Sequence, residues 1–216
     1  LLVDFDVQAN LTISLGMCRS KSFYDIIQNI KTNLFEFIQP SPIPNLSLIS
    51  SNKNMVLLNK KYFTADNFEF ILKDSLQEIL DHFDYILIDT PPSVDLFTLN
   101  ALTATGKVVI PCQCDYLSTY GVDQIMKIIK LVRNKTNPKI DAKILVTMYD
   151  QKNVSCRMIY GKIKKMYPKM TFKAIIELDP KIKEAQIMHL PVMQYDPQSR
   201  AGSNYSELAQ ELVTWN

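Results

Sequence analysis

The stretch that most limits how this chain can fold is Asp84 to Ser93, which reads DYILIDTPPS. Tyr85 to Ile88 run unbroken and apolar into Asp89, the pattern of a central parallel strand covered by helices on both faces. Pro91 and Pro92 forbid further pairing and turn the chain out at the strand's carboxyl end. Open α/β sheets bind ligands at that end, so a carboxylate there is a candidate for holding Mg²⁺ through water. The same pattern also suits a buried strand closed by a solvated Asp.

A second stretch, Leu1 to Gln8, reads LLVDFDVQ and again runs from apolar to acidic. Asp4 and Asp6 are two residues apart, so in extended chain both carboxylates point to one side. Such close like charges repel unless a cation, a donor or a water separates them. Gln8 continues the same parity with a neutral side chain able to orient a water, and Asn10 follows.

Together these stretches resemble the ParA family, the deviant-Walker ATPases that partition bacterial chromosomes and plasmids. LLVDFDVQANLTISLG is similar to the family's strand bearing Asp-x-Asp-Pro-Gln-x-Asn, and DYILIDTPPSVDLFTLNAL to its Walker B segment and following helix. The similarity continues through IPCQCDYLSTYGVDQI, LVTMYD and YDPQSRAGSNYSELAQEL, and so covers nearly the whole chain. The resemblance implies a P-loop NTPase-like α/β fold with ATP and Mg²⁺ as cofactors. It implies that Asp6 positions or activates the attacking water, that Asp4 supports the metal and water shell, and that Asp89 holds Mg²⁺ through a water ligand. Asn10 is implied as a nucleotide contact, and Met148, Tyr149 and Asp150 as contacts to the base. Val7 stands where the family usually has Pro, which loosens φ but leaves both carboxylates in place.

The family also places a Gly-rich loop with two lysines about one βα unit before Leu1. The five glycines here, Gly16, Gly106, Gly121, Gly161 and Gly202, are too scattered to build one. The expectation is therefore a single ParA-like domain over residues 1–216 that is incomplete at its amino terminus. Without the phosphate cradle this chain as given would be inactive. The alternative is a homologue that never binds nucleotide.

Composition sets the class: 216 residues, 47% hydrophobic and 21% charged, suit one globular domain with a sizeable core. A net charge of +2 argues no nucleic-acid binding from the total, so any basic surface must be local. Cys18, Cys112, Cys114 and Cys156 lack paired CxxC spacing and read as reduced thiols of a cytosolic protein. No signal peptide or membrane-length apolar run is visible.

Along the chain, helical spacing covers Ser22 to Ile30, three prolines break IQPSPIPN, and Leu46 to Ile49 reads as a strand. Asp66 is positioned to cap a helix over 67–82, with Phe68, Ile71, Leu72, Leu76 and Leu80 on its apolar face. A short helix is expected over Leu96 to Thr103 and a strand over Lys107 to Pro111. A helix over Gly121 to Arg133, a strand over Lys143 to Thr147 and a last helix over Ser203 to Val213 complete the alternation. One parallel sheet with helices on both sides follows. His82 fits a cation near a helix C-terminus, and His189, at a position where the family has Gly, is structural.

The resemblance also implies a surface for non-specific DNA. The family uses an arginine after the TMYD-like turn and another in a Val-Arg-Leu-Ser-Glu-Ala segment; Lys152 and Lys181 stand there. Lysine keeps the charge without the bidentate fork, which phosphate contacts tolerate. Lys183 and Arg200 are near the second, and Lys162, Lys164, Lys165 and Lys169 lie between, where a solvated helix face is the competing reading. No basic amphipathic tail follows the last helix, unlike membrane-binding MinD relatives. The implied cycle is ATP-driven homodimerisation, binding to the nucleoid, and release when a ParB-like partner stimulates hydrolysis. Rival readings are a non-catalytic adaptor that binds DNA or a partner, and a related ATPase positioning another cargo.

Overall fold

The computed structural model describes residues 1–28, 33–62 and 65–215. They form two compact units, Leu1–Thr105 with Lys135–Pro138, and Gly106–Asn134 with Lys139–Asn216. The architecture is α/β and mostly parallel, but the strands pair as two sheets where the alternation predicts one.

The first unit contains β1 (Leu2–Asp4), α1 (Asn10–Ser14), α2 (Phe23–Gln28), β2 (Ile38–Pro40), β3 (Ser47–Ile49), α3 (Val56–Tyr62), α4 (Ile71–Leu76), β4 (Leu87–Asp89) and α5 (Leu96–Ala104). Sheet order is β2-β3-β1-β4. β1 runs parallel to β3 and β4, and β2 is antiparallel to β3. Pro40 is tolerated because β2 is an edge strand, where its missing donor breaks no ladder. Phe5 anchors the core, with its ring edge-on to Phe23 at 5.1 Å and to Phe97 at 5.2 Å. Val3, Ile49, Leu58 and Leu72 bury around it.

Three expectations in this unit need correction. β4 is not a doubly covered central strand: among the described residues it pairs with β1 alone, and Leu87 is 57% exposed. The helix expected over 67–82 is α4 flanked by two 3₁₀ turns, Phe68–Phe70 and Gln77–His82. In a 3₁₀ turn i and i+3 align, so Ile79 follows Leu76 into the core while Leu80 faces out. Asn67, in the left-handed region at φ 58°, precedes this segment in place of an Asp66 cap. Of the helix expected over Ser22 to Ile30, the last two residues, Asn29 and Ile30, lie outside the described residues.

The second unit contains β5 (Lys107–Gln113), α6 (Tyr116–Lys135), β6 (Asp141–Tyr149), α7 (Val154–Met166), β7 (Thr171–Glu177), α8 (Lys181–Ile187), α9 (Val192–Tyr195) and α10 (Arg200–Val213). Its sheet, β5-β6-β7, is parallel throughout. β7 buries Phe172, Ala174 and Ile176 on alternate positions against Leu208 of α10. Trp215 closes this core: its ring lies edge-on to Phe172 at 5.4 Å, and its indole N–H donates to Asp141 Oδ2 at 2.8 Å. α6 begins five residues before Gly121, where Asp115 accepts from the Ser118 amide at 2.8 Å. All four cysteines are free thiols.

Candidate active site

β1 and β4 run parallel with Asp4 directly opposite Asp89, so the register alone brings two carboxylates to the carboxyl end of the sheet. The Phe5 amide donates to the Asp89 carbonyl at 2.9 Å, which extends the pairing one residue and delivers Asp6 beyond the strand ends. There the chain turns: Ala9 sits in the left-handed region at φ 55°, and its amide returns to the Asp6 carbonyl at 3.0 Å. α1 then starts at Asn10, which is exposed at the site's rim.

The carboxylates differ in environment. Asp4 is 0% exposed and both its oxygens are engaged. Oδ1 accepts from the Asp6 amide at 3.3 Å, while Oδ2 accepts from the Thr12 amide at 2.8 Å and the Thr12 hydroxyl at 2.6 Å. Burial raises its pKa, against which the Thr12 and Asp6 hydrogen bonds pull. Asp6 is buried at the edge; its Oδ1 accepts from the Gln8 amide at 3.0 Å and Oδ2 takes no hydrogen bond from the described residues. Asp89 is exposed as a residue, but the protein packed beside its carboxyl, together with the charges of Asp4 and Asp6, pushes it up to about 6. Two acidic neighbours and a third carboxylate raised by their charges make a site that a hard cation would relieve.

Thr12 and Ser51 are functional candidates that sequence reasoning misses. Ser51, just past β3, donates its hydroxyl to the Asp6 carbonyl at 2.5 Å and its amide to Thr12 Oγ1 at 3.1 Å. The available signal is a hydroxyl residue in the first turn after the acidic strand and a Ser-Ser pair directly after an apolar one.

The remaining expected residues belong to the second unit. Met148 and Tyr149 close β6 and Asp150 follows it, with Met148 at φ 52° and the Tyr149 ring 5.5 Å from that of Tyr160. Asp150 accepts from the Lys152 amide at 2.8 Å. Lys152 and Lys183 are exposed. Lys181 is paired with Glu184 at 2.7 Å and Arg200 with Glu177 at 3.3 Å, so half of the four cations expected to meet DNA already face a carboxylate. α7 carries Arg157, Lys162, Lys164 and Lys165 with no acidic residue, and none is ion-paired among the described residues. No helix among the described residues is long and apolar enough to cross a membrane.

Comparison with known proteins gives this geometry its context. The chain is 32% identical over 214 residues to the chromosome-partitioning ATPase Soj of Treponema pallidum, covering 99% of this chain and 84% of that protein. It is 32% identical over 217 residues to the sporulation initiation inhibitor protein Soj of Bacillus subtilis, covering 99% and 85%. Among solved structures, cobyrinic acid a,c-diamide synthase from Mycobacterium smegmatis, with a bound ATP analogue and magnesium, superposes with a TM-score of 0.83. The identity is 25%, over 98% of this chain and 80% of that one. Residues 1–142 match the AAA domain model AAA_31. With that match and two Soj relatives aligned over nearly its whole length, the chain belongs to the AAA_31 family of AAA domains, among its ParA and Soj members.

Proposed function

We propose that this protein is a ParA-type partition ATPase that binds Mg²⁺·ATP, dimerises with nucleotide, holds DNA without sequence preference and lets go when a ParB-like partner stimulates hydrolysis. The observation that carries the catalytic part is the register of Asp4 opposite Asp89, with Asp6 just beyond, at the carboxyl ends of adjacent parallel strands. The donor chemistry fits the cofactor: carboxylates suit Mg²⁺, and the raised Asp89 pKa marks a group that a cation would stabilise in its charged form. Asp89 would hold Mg²⁺ through a water ligand, since Mg²⁺ keeps several of its waters. Bound Mg²⁺ would neutralise charge on the phosphates. Asp6, with one oxygen held by Gln8 and the other open, would orient the attacking water.

For DNA binding, Lys152 and Lys183 are exposed cations, while Lys181 and Arg200 would exchange an internal partner for phosphate. Each exposed pair is worth little in water, so the exchange is inexpensive. Nucleoid association in the cytoplasm follows from this reading.

The deciding experiment is Mg²⁺·ATP binding and hydrolysis by residues 1–216 and by a form extended through any coding sequence that precedes them. Binding and turnover by the extended form support the ATPase. Failure of both, with the extended form folded, supports an adaptor that works by binding alone. In the active form Asp6→Ala is expected to keep nucleotide affinity within about threefold and to lower turnover by about a hundredfold or more. Unchanged turnover removes Asp6 from the mechanism.

A further inference from the structure

Asp6 is gripped by a closed ring of hydrogen bonds that excludes its own carboxylate. In the ring the Thr12 hydroxyl donates to Asp4 Oδ2, the Ser51 amide donates to Thr12 Oγ1, and the Ser51 hydroxyl donates to the Asp6 carbonyl. It returns from the Asp6 amide to Asp4 Oδ1. Asp4, Thr12 and Ser51 are all fully buried, so water cannot substitute for a lost member. The ring joins β1, the first turn of α1 and the end of β3, and it holds both backbone polar groups of a single residue. What it leaves uncommitted is one side-chain oxygen of Asp6.

We propose that Thr12 and Ser51 are positioning residues for Asp6, and that Asp4 serves as the anchor of their ring rather than as a member of the metal and water shell. The proposal rests on the ATPase reading for its effect on rate, and on the geometry alone for its effect on Asp6. The Asp4 carboxylate has no exposure and already takes three donors from the protein, so water has no path to it. The Asp6 carboxylate, by contrast, can move only as far as its backbone allows. A displacement of about 1 Å in such a group costs on the order of a hundredfold in rate, whereas nucleotide affinity does not depend on it. A ring that merely stapled the sheet would instead affect folding and leave the chemistry of folded molecules unchanged.

The test compares the full-length protein with Ser51→Ala, Thr12→Val and Thr12→Ser, measuring KM, kcat and amide hydrogen exchange at Asp6 and Ala9. Ser51→Ala and Thr12→Val are expected to lower kcat by about tenfold with KM within about twofold. Thr12→Ser, which keeps the hydroxyl and loses the methyl, is expected to restore kcat. Exchange at Asp6 and Ala9 should quicken in Ser51→Ala. Wild-type kcat in Ser51→Ala overturns the proposal, as does a loss in Thr12→Val that Thr12→Ser shares. Should Thr12→Val fail to fold, Ser51→Ala and Thr12→Ser decide between these outcomes. A wild-type protein that turns over no ATP sinks the ATPase reading separately. In that case exchange decides the positioning role: quickening confined to Asp6 and Ala9 supports it, and unchanged exchange overturns it.

Discussion

At Asp89, crowding by protein and the charges of Asp4 and Asp6 all oppose ionisation, so its folded pKa of about 6 lies above the ordinary 3.8. A group raised in this way contributes stability that is complete below about 4 and is lost as pH rises through about 6. Metal-free protein should therefore melt progressively lower from mildly acid to neutral pH, and Asp89→Asn should flatten that slope. Thermal unfolding at a series of pH values, with and without Mg²⁺, reads both; an unaltered slope in the variant would place the titration elsewhere. Among the thiols, surroundings separate groups that are alike by type. Cys18 is exposed and a hydrogen bond with Ser20 lowers its pKa, whereas burial pushes Cys114 up to about 12 and Cys112 to about 11. Since the thiolate is the nucleophile, mildly alkaline iodoacetamide should modify Cys18 well before Cys112 or Cys114, as peptide mass mapping can follow.

Local chemistry sets the start of α5 and α10. Asp95 caps α5 by accepting from the Phe97 amide at 3.0 Å and the Thr98 amide at 3.3 Å, so Asp95→Ala should cost about 1 kcal/mol. In α10 a Cβ at Gly202 would stand 3.0 Å from the carbonyl oxygens of both Asp196 and Pro197. Backbone cannot yield as a side chain can, and Gly202→Ala should lose roughly 1–3 kcal/mol in denaturant unfolding. These elements also show what the sequence makes legible. Helical period identifies α6 and α10 because each has one buried face, although both begin before the residue at which the period starts, whereas α5 is buried on nearly every side and is legible by its place after the double proline. β7 escapes this reading, although Phe172, Ala174 and Ile176 alternate, because Ala174 is small and the apolar Ile175 stands where alternation calls for a polar residue. Asp4, Asp6 and Asp89 are readable as acids closing apolar runs, and their meeting is a matter of register. Thr12 and Ser51 are not, because 39 residues separate them and only the parallel pairing of β1 with β3 makes them neighbours.

Over the whole molecule the net charge is only +2, so affinity for a polyanion must come from where the cations stand. Lys152→Glu combined with Lys181→Glu should weaken duplex binding at low salt. The dependence of log K on log salt should flatten by about one unit for each phosphate left without its lysine, with basal ATP turnover unchanged. Equal salt slopes for both proteins would dispose of this surface. The two units have separate buried clusters, one around Phe5 and one around Phe172, and the chain's single tryptophan belongs to the latter. At 3% exposure, with its N–H held by Asp141, Trp215 should emit at short wavelength in the folded protein and shift to the red on unfolding. Intrinsic fluorescence of this protein is thus a built-in optical reporter of the Gly106 to Trp215 half, and its melting curve set against far-ultraviolet dichroism separates the fate of that half from the carboxylate half without any label.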